Sequence, residues 1–509
     1  MPSVDLIALK EAAAANTWFA IYPEFALGLI ALALLGLEII LPRSQHGLIP
    51  RVAFIGQVAV LAYVLVFDLR IGAPSELSFG GLLLHTGIGQ AFRVFFLLTG
   101  ALVTWLGMMS LDRQQLPRVE FFHILLVVTA AMMLLVQSNH FVMLFVALET
   151  VTVSFYVLVS YFRHTSHSLE AGLKYLILGA LSSAMLTFGI VLLYDVAGNP
   201  SMPGTVTKPL DFIQLRLFLE TNPDNVLAII GMLLVLCGIA FKVGVVPFQI
   251  WIPDVYQGAP TPVTAFLAIG SKAAGVGVLL KLVTIVFVPL GGILVPALTA
   301  VTAATILFGN FAALTQRNTK RLMGLSGVSH AGFLTLGIIA ATTVAWAGAA
   351  VVFYLFAYML ASIAVFAVLT HLSDTEDSGL ETDDFVDLGK KHPLLGGVLA
   401  VGLGSLAGIP PLAGFIGKAL IFVAAFKAEL FGLLAVAVIG VVLSIYYYFG
   451  WMKLALFEFT RIVPQDVTTK ELKVGPISVP SRLLLGALAL ATVVLGLFQG
   501  PLSGWVSFN

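Results

Sequence analysis

About fourteen stretches of mainly apolar residues follow one another along the chain, each long enough to cross a ~30 Å hydrocarbon layer as a helix of roughly 20 residues. They cover 17–41, 52–70, 91–110, 119–137, 140–161, 169–195, 225–251, 260–283, 291–313, 322–342, 346–371, 394–428, 430–455 and 483–501. The runs are continuous and do not alternate, which points away from a transmembrane barrel. Composition agrees: 59% of residues are hydrophobic and 10% are charged, where soluble domains carry about a quarter charged. The expected fold is therefore an all-α integral membrane protein, with the lipid bilayer as its solvent. A formal net charge of zero argues against nucleic acid as a partner. The single cysteine, Cys237, rules out a disulfide within the chain and cannot ligate an iron–sulfur cluster. No glycine-rich nucleotide fingerprint follows a predicted strand. The N-terminus shows no basic region followed by an A-x-A cleavage site, so Met1 onward reads as mature chain.

The loops set an orientation. Every second loop from the first span is basic: Arg43 and Arg51; Arg113 and Arg118; Arg163; Arg317, Lys320 and Arg321; then Lys453, Arg461, Lys470, Lys473 and Arg482. The positive-inside rule puts these in the cytoplasm. With an even span count, both termini then face outward. Residues 374–388 (DTEDSGLETDDFVDL) interrupt the pattern with acidic residues before Lys390 and Lys391, and read as a solvated connector. In the long outer loop 197–224, Phe212, Leu215 and Leu219 could line one face of a short helix lying along the membrane surface. A plain packed loop fits equally well.

Two spans are interrupted. The seventh reads GIAFKVGVVPFQIW, with Gly238, Gly244 and Pro247; the twelfth reads GSLAGIPPLAGFIGK, with Gly404, Gly408, Pro410, Pro411, Gly414 and Gly417. Proline removes a backbone donor and kinks a helix. Broken helices at membrane depth occur where the freed backbone lines a protected cavity. Breaks five spans apart are the pattern of two inverted repeats of five helices, spans 4–8 and 9–13. The expected divisions are 1–118 (three helices), 119–283 and 284–455 (the two repeats), and 456–509 (a loop and span 14).

Glu38, Asp68, Arg93, Asp195, Lys281 and Lys427 lie near span ends, where a structural, snorkelling role suffices. Glu149, Lys242, Lys272 and Lys418 lie deeper. Glu149 is about nine residues into span 5, or roughly 14 Å at 1.5 Å per residue. Ions at such depth cost about 2.5–3.5 kcal/mol each on insertion scales. A structural reading, salt bridges between helices, leaves three lysines to one glutamate. The functional reading is a proton relay: a buried amine releases its proton more readily, and a nearby carboxylate restrains it. If Glu149 moves relative to Lys242, the pair is an electrical switch, with Lys272 and Lys418 carrying the proton onward through water. Arginine could not serve, because it stays protonated. Lys174, nearer the cytoplasmic end of span 6, and His330, mid-span in SGVSHAGF beside Ser326 and Ser329, are secondary candidates for the path. Tyr446, Tyr447 and Tyr448 read as packing aromatics.

FKVGVVPFQIWIPDVYQGAPTPVTAFLAIGSKAAG, residues 241–275, resembles the antiporter-like membrane subunits of respiratory complex I. LETVTVSFYVLVSYFR (148–163), SLEAGLKYLILGALSSAML (168–186), RLMGLSGVSHAGF (321–333) and GIPPLAGFIGK (408–418) resemble further stretches of that family. The resemblance implies a fourteen-helix fold with discontinuous helices 7 and 12, and proton translocation driven by quinone reduction in other subunits. It places the family's helix-5 glutamate on Glu149, its lysines of helices 7 and 8 on Lys242 and Lys272, its helix-12 residue on Lys418 and its helix-6 lysine on Lys174. It also implies other membrane-arm subunits as partners, and NADH, FMN, iron–sulfur clusters and quinone held by partner subunits, with no cofactor in this chain. The family often has histidine where this chain has Gln249, a step that water would have to bridge. Lysine at 418, and the short stretch after span 14, suit the paralogue lying toward the quinone-bearing end. A bacterial plasma membrane is the expected location, although organellar and photosynthetic versions resemble the same family. The rival readings are a subunit of a multi-subunit cation/proton antiporter, a merely bracing membrane subunit that tolerates methionine at Lys242 and Lys272, and a small-molecule transporter.

Overall fold

The computed structural model describes residues 16–68, 75–114, 119–373, 377, 379–457, 475 and 477–500. The side chains of Arg113, Arg118, Arg461, Lys470 and Lys473 lie outside what it describes. The chain is almost wholly helical. In order, the membrane helices are α1 Tyr22–Ile40, α2 Ile49–Tyr63, α3 Gly87–Gln114, α4 Val119–Gln137, α5 Phe141–Val159, α6 Ser166–Gly198 and α7 Val226–Val243. There follow α8 Thr261–Val286, α9 Gly291–Leu314, α10 Thr319–Ala340, α11 Ala347–Leu372, α12 Pro393–Ala407, α13 Phe431–Leu456 and α14 Val479–Leu497. Among the described residues, 13 helices are long and apolar enough to cross a membrane. The remaining crossing is made by α12, 15 residues, together with its 15-residue continuation Ala413–Lys427. A two-stranded antiparallel hairpin, β1 Glu76–Ser78 and β2 Leu83–His85, joins α2 to α3.

Helices α8 and α10 are enclosed on all sides by the others, and α11 nearly so. They form the axis of the molecule, while α1, α6, α9, α13 and α14 turn most of their surface outward. The outward faces carry Leu173, Leu181, Phe188, Phe311 and Val442, as lipid contact or subunit packing requires. Polar residues start several helices: Asn225 and Asn318 accept from the Ala228 and Arg321 amides, satisfying donors that the first turn leaves free.

Both interruptions share one construction. Helix α7 ends at Gly244 (φ +79°) and α12 at Gly408 (φ +89°), left-handed positions that favour glycine. The Val246–Pro247 and Pro410–Pro411 bonds that follow are cis. After its break, the chain of α7 resumes as a short half-helix, Ile252–Gly258, so the crossing runs seven residues past the expected end at 251. Gly238 is not part of the break. It lies inside α7, and a Cβ there would sit 2.6 Å from Leu186 Cβ, so it serves the close packing of α6 on α7.

The structure decides one open reading and changes others. The loop 197–224 does contain a helix, Phe212–Thr221, capped by Asp211; it buries Phe212, Leu215, Phe218 and Leu219 and packs on the C-terminal end of α8. The acidic stretch 374–388 is not simply solvated. Asp377 is buried, accepts from the Thr261 amide (2.6 Å) and hydroxyl (2.6 Å) at the start of α8, and faces Lys320 at 3.6 Å. Arg93 and Asp68 do not snorkel: Arg93 is 1% exposed, and its guanidinium meets Glu24 at 2.7 Å and Asp68 at 3.0 Å. Gln137 at the end of α4 donates to Glu24 at 2.8 Å, which ties α1 and α3 to α4. Lys281 donates to the Ser138 carbonyl at 2.8 Å.

Candidate functional site

The deep lysines lie inside the protein. Lys242, Lys272 and Lys418 are 6%, 2% and 3% exposed, and among the described residues none forms an ion pair within 4.0 Å. The salt-bridge explanation for these lysines therefore fails. Between them the three amines meet carbonyls, phenols and ring faces, and the carbonyls and phenols take a hydrogen bond from an ammonium or from a neutral amine.

Lys242 is in the last turn of α7, just before the break. Its Nζ donates to Tyr175 Oη at 3.5 Å and lies 5.5 Å and 5.6 Å from the Tyr175 and Phe241 ring centroids. Trp251, after the break, donates from Nε1 to the Phe241 carbonyl at 3.2 Å, capturing one of the acceptors that the end of α7 leaves free. Its ring packs 4.8 Å from Tyr175 and 5.3 Å from Phe241. The Tyr175 and Phe241 rings thus face the amine, and Trp251 packs against both of them. Gly275 on α8 lets that helix come close, since a Cβ there would sit 3.2 Å from Lys242 Cβ.

Lys272 follows a widened π turn of α8, Leu267–Ser271, a distortion that re-aims side chains. Its Nζ donates to the Gly327 carbonyl of α10 at 2.5 Å and to Tyr358 Oη of α11 at 3.5 Å. The Tyr358 ring lies 4.9 Å from that of His330. His330 joins three helices: Nδ1 is 2.6 Å from Tyr354 Oη and Nε2 is 3.1 Å from Tyr448 Oη. Tyr448 is thus a hydrogen-bonding partner as well as a packing residue. Tyr354 packs against Gly417, where a Cβ would lie 2.5 Å from its ring. The next residue, Lys418, donates to the Leu406 and Ala407 carbonyls at 2.8 Å and 3.1 Å. Those carbonyls end α12, where free acceptors and the negative pole of the helix dipole favour a cation. Lys272, Tyr358, His330 and Tyr354 therefore form a packed string through α8, α11 and α10, which Lys418 joins through its neighbour Gly417 and through Phe333, whose ring its amine faces at 5.2 Å and which packs 6.2 Å from His330.

Glu149 is half-buried on α5 and accepts from Ser183 Oγ of α6 at 2.5 Å. It makes no direct pair with Lys242 in this arrangement. Lys174 is apart from the buried string: it is 41% exposed and pairs with Glu170 at 2.6 Å and Asp254 at 2.7 Å. Gln249 is buried within the break, and among the described residues its Oε1 has no hydrogen-bond partner. Sequence reasoning missed Tyr175, Tyr354, Tyr358, Trp251 and Ser183, because aromatic and hydroxyl residues in an apolar helix carry no signal of depth or direction.

A profile of the family described as NADH:quinone oxidoreductase/Mrp antiporter, transmembrane, matches residues 138–444. The chain belongs to this family of antiporter-like membrane subunits. Within it, the chain is 56% identical over 506 residues, 99% of both chains, to NADH-quinone oxidoreductase subunit N 1 of Opitutus terrae. It is 35% identical to the subunit N of Desulfitobacterium hafniense, over 94% of this chain and 95% of that one. Among solved structures, a chain of respiratory complex I from Thermus thermophilus superimposes with a TM-score of 0.76 at 30% identity, covering 95% of this chain and 98% of that one.

Proposed function

We propose that this chain is the subunit N of a proton-pumping NADH:quinone oxidoreductase, and that it moves protons through Glu149, Lys242, Lys272, His330 and Lys418, with Lys174 at the cytoplasmic mouth. One observation carries the reading: three fully buried amines without counter-ions are set in hydroxyls, carbonyls and aromatic faces. Burying an unpaired charge is costly, and an apolar residue of similar volume avoids that cost. A structural brace has no use for the arrangement; a relay needs groups that change protonation without losing their contacts.

In this reading Glu149, resting on Ser183, is the movable charge. Its approach to Lys242 holds a proton there, and its withdrawal releases the proton toward Lys272. Tyr358 and His330 carry it between the two halves, and Lys418 passes it toward the opposite face. The unpartnered Gln249 Oε1 marks a place for water, which suits the step where the family's histidine is absent. The two breaks, at corresponding places in 119–283 and 284–455, give each half its own hydrated access, as inverted repeats do. Redox chemistry belongs to partner subunits: the chain's one cysteine cannot hold an iron–sulfur cluster. In this reading the chain lies in a bacterial inner membrane, and its basic loops support an orientation with both termini outside.

The test is Lys242→Met in the assembled complex, with quinone reductase activity and acidification measured in inverted membrane vesicles. Pumping and coupled turnover should fall together at normal assembly. Wild-type values for both would show the buried amines to be structural.

A further inference from the structure

The half-helix Ile252–Gly258 has no hydrogen-bond ladder to α7, because the break 244–251 separates them. Its place is set from outside. Asp254, on its first turn, faces two helices at once: Oδ2 meets Lys174 Nζ of α6 at 2.7 Å, and Oδ1 meets Arg321 Nη1 of α10 at 2.7 Å. Arg321 Nη1 also donates to Gln257 Oε1 at 3.0 Å, and Glu170 steadies Lys174 from the far side at 2.6 Å. Two close backbone approaches seat the segment: Gly258 against the His167 carbonyl, and Gly324 of α10 against Ile252 and Tyr256. Trp251 caps the start of this half-helix, packs its ring on Tyr175 and Phe241, the two rings that face Lys242, and donates from Nε1 to the Phe241 carbonyl. Trp251 and Asp254 are three residues apart, about one helical turn.

We propose that Asp254 is a positioning residue, clasping Lys174 and Arg321 so that the half-helix behind the break holds Trp251 against the Tyr175 and Phe241 rings that face the Lys242 amine. The inference rests on the proton-path reading above. Asp254 touches no member of the buried string, and acts through the half-helix that carries Trp251. It is also the point where α6, from the first five-helix half, and α10, from the second, are joined by charge. The pairs are too exposed, at 37% for Asp254 and 41% for Lys174, to matter much for stability. Their geometry is what counts: a carboxylate bridging two cations adds direction to a segment otherwise held by packing and by the hydrogen bonds of Gln257, Tyr256 and Trp251. The clasp also accounts for Lys174, which is committed to Asp254 and Glu170 at the mouth of the path and is held off the buried string.

The test compares Asp254→Asn, Asp254→Glu, Trp251→Phe and Lys242→Met in the assembled complex, measuring protons pumped per electron in vesicles. Asp254→Asn should assemble and pump at least about threefold less, since small misplacements of a reacting group cost rate steeply. Asp254→Glu, which keeps both pairs, should recover most of the loss. Trp251→Phe should fall with Asp254→Asn, and the double variant should be no worse than the poorer single one. Wild-type pumping in Asp254→Asn, or a Glu variant as poor as the Asn variant, overturns the proposal. If Asp254→Asn does not assemble, Trp251→Phe decides: lowered pumping supports the positioning role of Trp251, and wild-type pumping overturns the proposal. Lys242→Met separates the two claims. If it pumps normally, the proton-path reading itself fails; if it is inactive while Asp254→Asn pumps normally, only the clasp fails.

Discussion

Gly327 is the most informative position to perturb, because there folding and function pull in opposite directions. It lies inside α10, and a Cβ built on it would sit 2.8 Å from Lys272 Nζ and 3.2 Å from Tyr358 Oη. The atom at 2.8 Å is the free end of a flexible side chain, so Gly327→Ala displaces the amine and leaves the helices in place. Replacing a helical glycine by alanine favours the helix by about 1 kcal/mol, so assembly should hold or improve. The amine, however, leaves the Gly327 carbonyl that it now meets at 2.5 Å. A hydrogen bond from a charged donor is worth about 1.5–3 kcal/mol. At 1.4 kcal/mol per tenfold, the present placement of Nζ becomes about ten- to a hundredfold less populated. The assay is paired: blue-native electrophoresis for assembly, and acidification of inverted vesicles against quinone reductase activity for pumping. Normal assembly with pumping down several-fold is expected, and Gly327→Ala combined with Lys272→Met should be no worse than Lys272→Met alone. Normal assembly with undiminished pumping would refute the idea that the seat of Lys272 matters for transport.

Two further substitutions test separate parts of the molecule. His330→Phe keeps the ring but strips both nitrogens, leaving the Tyr354 and Tyr448 hydroxyls buried without their partner at a cost of about 1–3 kcal/mol; pumping should drop several-fold in complex that still assembles, and an unchanged rate would remove His330 from the path. Arg93→Gln leaves Glu24 and Asp68 buried beside a neutral side chain, and breaking such a pair destabilises by about 3–5 kcal/mol; less subunit should survive in the complex after mild heating in detergent, while the protons pumped per electron by the surviving fraction stay the same. Undiminished heat resistance would show that the cluster does not tie the first three helices to α4.

The spans were legible because the hydrocarbon imposes one length on every crossing, and a helix converts that length into a residue count. Helices α4, α10 and α13 fall within a few residues of their apolar runs for this reason. The breaks were legible for a related reason: glycine and proline carry their backbone consequences wherever they stand. Depth along a span identified Glu149, Lys242, Lys272 and Lys418 as unusual, since an ion far from both ends of an apolar run has no route to water.

What a span cannot encode is direction around its axis, and there the tertiary structure decided. Arg93 and Lys281 resemble snorkelling residues in sequence, yet one is enclosed by two carboxylates and the other is bound to a helix end. Lys174 reads in sequence as a candidate for the path, and the fold sets it against Glu170 and Asp254. Asp377 lies in a stretch that reads as solvated, and caps the helix that bears Lys272. The sequence by itself determined that this chain crosses the bilayer many times, breaks two of its helices and carries amines at mid-depth. Which hydroxyl, carbonyl or carboxylate each amine meets was decided only when α8 and α10 were enclosed by the other helices, because partners far apart in the chain become neighbours through packing.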